Sequence, residues 1–436
     1  MWISDKFINE LIIKDQAIHD EAYTKARACL LDYLGVTLGG YQYLKAKNVK
    51  LIESLQNHSI LETALWEGFA AHVLELDDGH RRGMIHLGAS IITAVIEVAK
   101  QEHLNSKMML EGIIMGYEAA IRCAMSIQPG HKVRGYHVSG TCGTIGAALG
   151  IAFACGYNRE QLKSTLDCAV TSAAGVLEIQ EQASELKPYN IARAVCDGLL
   201  AAQIGKLAIP GPDDIIGGKR GFLAAMTDTP KPEYLTEFND ERFCIEGIYQ
   251  KVHAACRHNH PAIDATILMR NDLDLKPEQV EKIEVYTYKL AVGSHDHTKI
   301  QGISSAKLST PFAVAMAIVK GSCGYADYNE DNLNDYWIKY LTNKVKVIED
   351  KNLTDQSPSI RGARVVIYLK NGEEYEASCL YPKGEPENPL TQADIENKFR
   401  ELAMYGGLSS EECDEVVAAI KTNDFDLDKI REICKL

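Results

Sequence analysis

The chain has 436 residues, 46% of them apolar and 24% charged, with a formal net charge of -14. That balance describes a folded chain with more than one hydrophobic core and excludes a disordered protein. It also argues against a nucleic-acid binder, which needs a basic face, although a few converging Arg and Lys side chains can still hold an anion locally.

Up to about residue 265 the chain reads as helix after helix. Ala22–Leu34, Leu61–Leu76, Ala89–Lys100, Leu110–Ala124, Gly143–Cys155 and Arg159–Ala174 each space their apolar residues near a helical period. Turns such as Gly156-Tyr-Asn158 and Pro210-Gly-Pro-Asp-Asp214 separate them. The many Ala, Gly, Ser and Cys residues imply helices that approach closely. After about residue 270 the signal changes. In Lys282–Tyr288, Ile283, Val285 and Thr287 alternate with Glu284, Tyr286 and Tyr288, as in a half-buried strand. Arg364–Leu369 and Tyr375–Leu380 flank Asn371-Gly372, a signal for a two-residue hairpin. A helix over Thr310–Lys320 lies between these strands, and Thr391-Gln-Ala-Asp394 starts helical periodicity that runs to Leu436. The expected fold is mainly α: a large helical domain over residues 1–268, a smaller α+β lid domain over 269–392, and C-terminal helices over 393–436 returning to the first domain.

Met1-Trp-Ile-Ser-Asp-Lys6 lacks the pattern of a secretory signal, and the weakly polar run Gly140–Gly156 reads as a buried helix rather than a membrane span. Twelve cysteines without a Cys-x-x-Cys pair suit reduced thiols and argue against a disulfide framework or an iron–sulfur cluster. The expectation is a cytoplasmic protein that contacts neither membrane nor nucleic acid.

Four constellations could carry chemistry. Leu74–Ser90 sets Asp77, Asp78, His80 and His86 between apolar helices. Asp77 and His80, three apart, would share a helix face, as acid–base groups, metal ligands or a plain helix end. His137 precedes a Gly-rich helix start, whose free N–H groups suit a carboxylate. Lys187, fixed by Pro188, suits a counter-charge, although such lysines are commonly only solvated. Lys251-Val-His-Ala-Ala-Cys-Arg-His-Asn-His260 is a dense cluster. Cys256, His258 and His260 could bind zinc, but their one-residue gaps fit no common structural zinc pattern, and Arg257 is better suited to grip a carboxylate. Serine-nucleophile, P-loop and dinucleotide motifs are missing. What remains is proton chemistry on a small carboxylate.

These segments resemble, in order, the MmgE/PrpD family, whose members include 2-methylcitrate dehydratase, cis-aconitate decarboxylase and iminodisuccinate epimerase. Ala71-His-Val-Leu-Glu-Leu-Asp-Asp78 with His86-Leu-Gly88, Gly135-Tyr-His137, Lys187, Cys256-Arg257 with His260-Pro-Ala-Ile-Asp264, and Tyr381-Pro-Lys-Gly-Glu-Pro-Glu-Asn-Pro389 carry the resemblance. It implies a homodimer with a site between helical and lid domains and with no metal or organic cofactor. Carried over by position, Asp77 or Asp78, His86, His137, Lys187 and His260 would line the pocket. Of the candidates as a whole, His137, His260, Lys187, His86 and Asp77 are expected to be catalytic. Asp78, His80, Arg257, Lys251 and Phe312 would contact substrate. Three departures stand out. Gly79-His80 follows Asp77-Asp78 where the family has threonine, Phe312 replaces a tyrosine, and the stretch between residues 40 and 60 is short.

The resulting expectation is a cofactor-independent lyase or isomerase that removes a proton α to a carboxylate of a di- or tricarboxylate. One histidine, His137 or His260, would take the proton and the other would return one, while Lys187 and Arg257 hold carboxylates. A dehydration like that of 2-methylcitrate ranks first, epimerisation of an iminodisuccinate-like substrate second and decarboxylation of cis-aconitate last. The rival from another class is a metal-dependent hydrolase built on Asp77, His80 and His86 or on His258 and His260.

Overall fold

The computed structural model describes residues 1–47, 59–181, 184–293, 295–422 and 424–436. The helices Ser106–Ile127 and Val138–Ala154 form its centre and pack backbone to backbone. A Cβ on Gly116 would lie 2.8 Å from the Gly146 carbonyl oxygen, and one on Gly146 would lie 2.8 Å from that of Gly116. Small residues are therefore a steric requirement of this core rather than a weak helix signal. Helix Gly88–Gln101 packs on both, and Lys187–Gly205 packs on Val138–Ala154. The first long helix spans Asp20–Ala46, well beyond the expected Leu34, and is buried through Gly40.

The α+β part is a four-stranded sheet in the order β2-β1-β3-β4 (β1 Val280–Thr287, β2 Val345–Glu349, β3 Ala363–Leu369, β4 Glu374–Cys379). β1 pairs parallel with β2 and antiparallel with β3. Ile283, Val285, Val365 and Ile367 cover Ala262, Ile263 and Met269 of helix His260–Leu273 and Val314–Ile318 of helix Thr310–Lys320. β2 escaped the sequence reading because it is a short edge strand carrying Lys346 and Glu349. The β3–β4 turn also differs from expectation. Only Gly372 has positive φ (92°), and its N–H donates to the Leu369 carbonyl at 3.0 Å. That makes a three-residue loop ending in a left-handed glycine instead of a two-residue turn.

Thr391 and Asp394 form the expected reciprocal cap, at 2.9 and 3.1 Å, and start helix Gln392–Tyr405. This helix packs on Asp20–Ala46, so the C-terminal helices return to the helical part. The shorter stretch anticipated between residues 40 and 60 falls mostly outside the described residues. Among those described, no helix is long and apolar enough to cross a membrane.

The last helix, Leu427–Cys434, is pinned by charge. Arg431, 4% exposed, donates to Glu67 at 2.8 Å and to Glu97. Removing the guanidinium would strand two buried carboxylates, which costs about 3–5 kcal/mol. Arg431→Met is expected to lose that much unfolding free energy in urea titrations, whereas Lys429→Met, at an exposed pair with Glu415, should change it by less than about 1 kcal/mol.

Candidate active site

The site begins where helix Ile60–Val73 ends. Its last carbonyls have no intrahelical partner and are buried, so they need donors. Lys307 donates to the carbonyls of Val73 and Leu74 at 3.2 Å each, Lys251 to that of Glu75 at 3.0 Å, and Lys398 to that of Leu76 at 2.8 Å. Glu75 adopts a left-handed φ of 58° and turns its carboxylate onto Lys187 and, at 3.2 Å, Lys251. Burial alone would raise this carboxyl, but the two ammonium groups outweigh it and hold Glu75 well below the carboxylate range. Asp77 is likewise raised by burial and lowered further by its imidazole neighbours, His72 first, so it too stays ionised.

Asp77 backs two rings, His72 Nδ1 at 2.8 Å and His86 Nδ1 at 3.5 Å. His86 Nδ1 also lies 2.9 Å from the Asp78 carbonyl oxygen. A carbonyl only accepts, so Nδ1 carries the proton and Nε2 is left with its lone pair. Burial, then Lys251, keeps this imidazole neutral, well below its ordinary pKa. His137 has the opposite tautomer. The Asn190 amide donates at 3.2 Å to the Val176 carbonyl and at 3.2 Å to His137 Nδ1, which leaves the His137 proton on Nε2. Burial, then Lys187, holds this ring neutral as well. One histidine therefore offers a base and the other a neutral hydrogen-bond donor.

Both rings line a small cavity of about 70 Å³ together with Lys132, Lys187, Arg257 and Arg361. Arg257 is not a free fork, because Glu385 binds its Nε at 2.6 Å and also its Nη2, leaving only Nη1 without a partner. Arg361 is 3% exposed, and its Nε and Nη2 have no partner. Lys132 donates to His258 Nε2 at 3.2 Å and, like Arg361, has no carboxylate partner among the described residues. Burial lowers its pKa to about 8. A buried guanidinium left without an anion is costly, and a bound carboxylate would satisfy it.

The remaining sequence candidates lie elsewhere. Asp77 and Lys251 stand behind the Lys187–Glu75 pair and support it. Asp78 is structural: it accepts from the Tyr117 hydroxyl at 2.6 Å and from the Gly88 N–H at 2.9 Å. His80 does not share a helix face with Asp77, because the chain is no longer helical there. Its Nδ1 accepts from the Gly83 N–H at 3.1 Å, its ring faces a different depression beside Arg122 and Phe243, and burial lowers its pKa to about 3. His260 Nε2 donates to the Ala255 carbonyl at 3.2 Å, under the His253 ring, and does not reach the cavity. Phe312 is core, 6.2 Å from the Tyr328 ring, so its missing hydroxyl bears on packing rather than on this cavity. Sequence reasoning missed Glu75, Lys132, Tyr249, His295 and Arg361. Glu75 lay in plain view beside Asp77, and His295 sits in the conspicuous run Gly293-Ser-His-Asp-His297. Arg361 had no signal.

Among the described residues, two clusters have ligand atoms within 4.8 Å of one another: His72, Asp77 and His86, and Cys256, His258 and His295. Neither fits a metal well. Lys251 stands 4.0 Å from Asp77, and both nitrogens of His258 are engaged, with the Tyr288 hydroxyl at 2.6 Å and with Lys132.

The protein is thus a helical body with a small mixed sheet and a cation-lined cavity beside His86 and His137. The chain belongs to the MmgE/PrpD family: the model of its N-terminal domain matches residues 6–235 and that of its C-terminal domain residues 253–422. Among similar proteins, the cis-aconitate decarboxylase-like protein oryM of Aspergillus oryzae is 25% identical over 370 residues, 78% of this chain and 75% of that protein. The cis-aconitate decarboxylase of Mus musculus is 23% identical over 350 residues, 77% of this chain and 70% of that one. The Homo sapiens enzyme of the same name is 21% identical over 356 residues, 77% and 71% respectively.

Replacing Arg361 separates binding from stability. Arg361→Met removes two unpaired buried N–H donors but also a charge that Tyr288, Tyr249 and Glu385 favour, so unfolding free energy is expected to change by no more than about 1 kcal/mol. The same variant should lose the increase in melting temperature that citrate gives the parent protein, and thermal-shift titration reads both effects.

Proposed function

We propose that this protein is a lyase of small di- or tricarboxylates that works by removing a proton α to a carboxylate. Family membership and the names of its relatives support lyase chemistry. The observation that carries the substrate class is the unpartnered Arg361 beside Lys132 and Lys187 in a cavity that also holds a lone-pair nitrogen of His86. In this reading Arg361 and Lys187 bind carboxylates, and His86 Nε2 takes the α-proton. Charge developing on the enolate-like carboxylate is met by Lys187 and by the His137 Nε2–H. His137 serves as a neutral donor and not as the proton source, because losing Nε2–H would leave an imidazolate. The proton for a departing hydroxyl comes from Lys132, whose ammonium is charged at neutral pH yet moderately acidic. A C–H and a C–O bond break, a C=C bond forms, and water leaves. In this reading the reaction is the dehydration of a 2-methylcitrate-like substrate.

Decarboxylation is the second reading, and the relatives' names favour it. The tyrosine-to-phenylalanine change at Phe312 no longer weighs against it, since that ring lies in the core. Epimerisation would use the same His86 step with return of the proton to the other carbon face. We further propose that the protein functions in the cytoplasm as a homodimer and acts without a cofactor.

Incubation in D2O with 2-methylcitrate, cis-aconitate and iminodisuccinate separately, followed by NMR, tests the assignment. Dehydration of methylcitrate with exchange of its α-proton is expected; release of CO2 from cis-aconitate alone would establish the second reading instead. His86→Asn should slow exchange by about 10²–10⁴-fold. The pH profile has a defined sign. A base held neutral by burial keeps working below its ordinary pKa of 6.5, so the acid limb of kcat/KM should fall below pH 6.5. Lys132 must be protonated to act, so activity should be lost as pH rises through about 8. In Lys132→Met that alkaline limb should vanish along with most of kcat.

A further inference from the structure

One wall of the cavity is unused by this mechanism. Cys256 lines it, and its Sγ lies 3.9 Å from His295 Nε2. His295 Nδ1 donates to the Leu308 carbonyl at 2.9 Å, which fixes the ring so that Nε2 faces the sulfur, and His258 stacks on it at 4.6 Å. The charged groups acting on Cys256 are His295, Lys187, Lys132 and Arg361, opposed by Glu75. The phenols of Tyr288 and Tyr328 face it from the sheet side and from the loop after helix Thr310–Lys320. We propose that Cys256 and His295 form a thiolate–imidazolium pair, a covalent-modification site on the cavity wall that selects electrophiles bearing a carboxylate.

Two independent features support this. The first is the paired geometry, with a ring nitrogen held toward the sulfur, which is the arrangement that activates a cysteine nucleophile. The second is Arg361 in the same cavity, buried and with Nε and Nη2 unpartnered, which would draw a carboxylate toward the sulfur. The contrast with the rest of the chain is complete. Burial raises the pKa of each of the other eleven cysteines. Burial acts on Cys256 in the same direction, but His295 and Lys187 reverse it and bring the thiol down to about 6. In the covalent step the Cys256 sulfur attacks the electrophilic carbon. With iodoacetate an S–C bond forms as the C–I bond breaks, iodide departs, and the thiol proton stays on His295. With a conjugated unsaturated carboxylate the sulfur adds to the β-carbon, the π electrons move to the α-carbon, and His295 supplies the proton there.

The proposal rests on the anion-holding reading of the cavity but not on which reaction the protein catalyses. The experiment treats the full-length folded protein with iodoacetamide or iodoacetate between pH 5 and 9 and measures labelling of each cysteine by peptide mapping. Cys256 is expected to react first with both reagents, with a midpoint near pH 6. Iodoacetate should outpace iodoacetamide at this residue on the order of tenfold, the usual preference being reversed by the local positive potential. Citrate should protect it. His295→Asn should move the midpoint toward about 8.5, and Arg361→Gln should abolish the preference for iodoacetate, slowing iodoacetate labelling far more than iodoacetamide labelling. A midpoint at the ordinary thiol value in the parent protein, or iodoacetamide reacting faster than iodoacetate at Cys256, would overturn the proposal. Loss of methylcitrate dehydration with iodoacetate selectivity retained would overturn only the reaction proposed above.

Discussion

The four carbonyls from Val73 to Leu76 are the constraint on which the rest of the structure depends. A helix ends there inside the protein, where water cannot satisfy them, and lysines from three distant parts of the chain do so instead. Lys251 comes from the segment before helix His260–Leu273, Lys307 from the short helix Ile303–Leu308, and Lys398 from helix Gln392–Tyr405, which packs on Asp20–Ala46. Capping one helix end therefore ties the N-terminal helices, the sheet-bearing part and the C-terminal return to one point. Lys398 adds an ion pair with Asp32 at 2.7 Å. Bringing ammonium groups to this point requires buried anions nearby, and Glu75 and Asp77 are those anions.

The same concentration of charge sets the chemistry. Glu75 neutralises Lys187 and Lys251, and Asp77 orients His86, so the carboxylates are consumed behind the cavity wall. What faces the cavity is then a net excess of cations with two neutral histidines of opposite tautomer. Water would favour imidazolium at mildly acidic pH, but here burial acts on both rings more strongly than any neighbouring charge and disfavours the charged form. Such a site joins cationic side chains to unprotonated imidazoles, the two requirements for removing a weakly acidic α-proton from an anion.

How much of this was legible in the sequence follows from the kind of interaction involved. The helices, the strand patterns of β1, β3 and β4, the Thr391 cap and the C-terminal return rest on local periodicity and end signals, and these were readable. His86, His137, Lys187 and Arg257 could be gathered because they sit in segments with unusual local composition, and the structure brings all four to one cavity. His80, Asp78 and His260 sit in the same segments, yet a one- or two-residue offset turns their side chains away into turns and core. Motif spacing does not encode that difference once the helical period has been broken at Glu75. Arg361 and His295 reach the cavity only through the placement of the sheet and its loops, which depends on long-range pairing rather than on any neighbour in sequence. The tautomers were equally invisible, because they are decided by the Asp78 carbonyl and the Asn190 amide.

Gly79 shows how one departure from the family pattern is absorbed. Position 79 lacks the threonine found in the family, and a Cβ built there would lie 2.4 Å from the Tyr249 hydroxyl oxygen and 2.7 Å from the Ile85 carbonyl oxygen. Any side chain at 79 would have to displace the phenol, so Gly79 and Tyr249 are sterically coupled. Their backbones are coupled too, exchanging hydrogen bonds of 3.0 and 2.8 Å in an isolated bridge. Tyr249 lines the cavity, its ring lies 5.4 Å from the Arg257 guanidinium, and burial keeps its hydroxyl protonated. The hydroxyl missing from position 79 is thus replaced by another that projects from the opposite strand of the bridge and rests where the threonine side chain would begin. A longer side chain reaching across brings an aromatic face as well as a donor, narrowing the cavity beside Arg257. The shape of the cavity at this point therefore turns on the Gly79–Tyr249 pair rather than on His80, whose imidazole points into the turn.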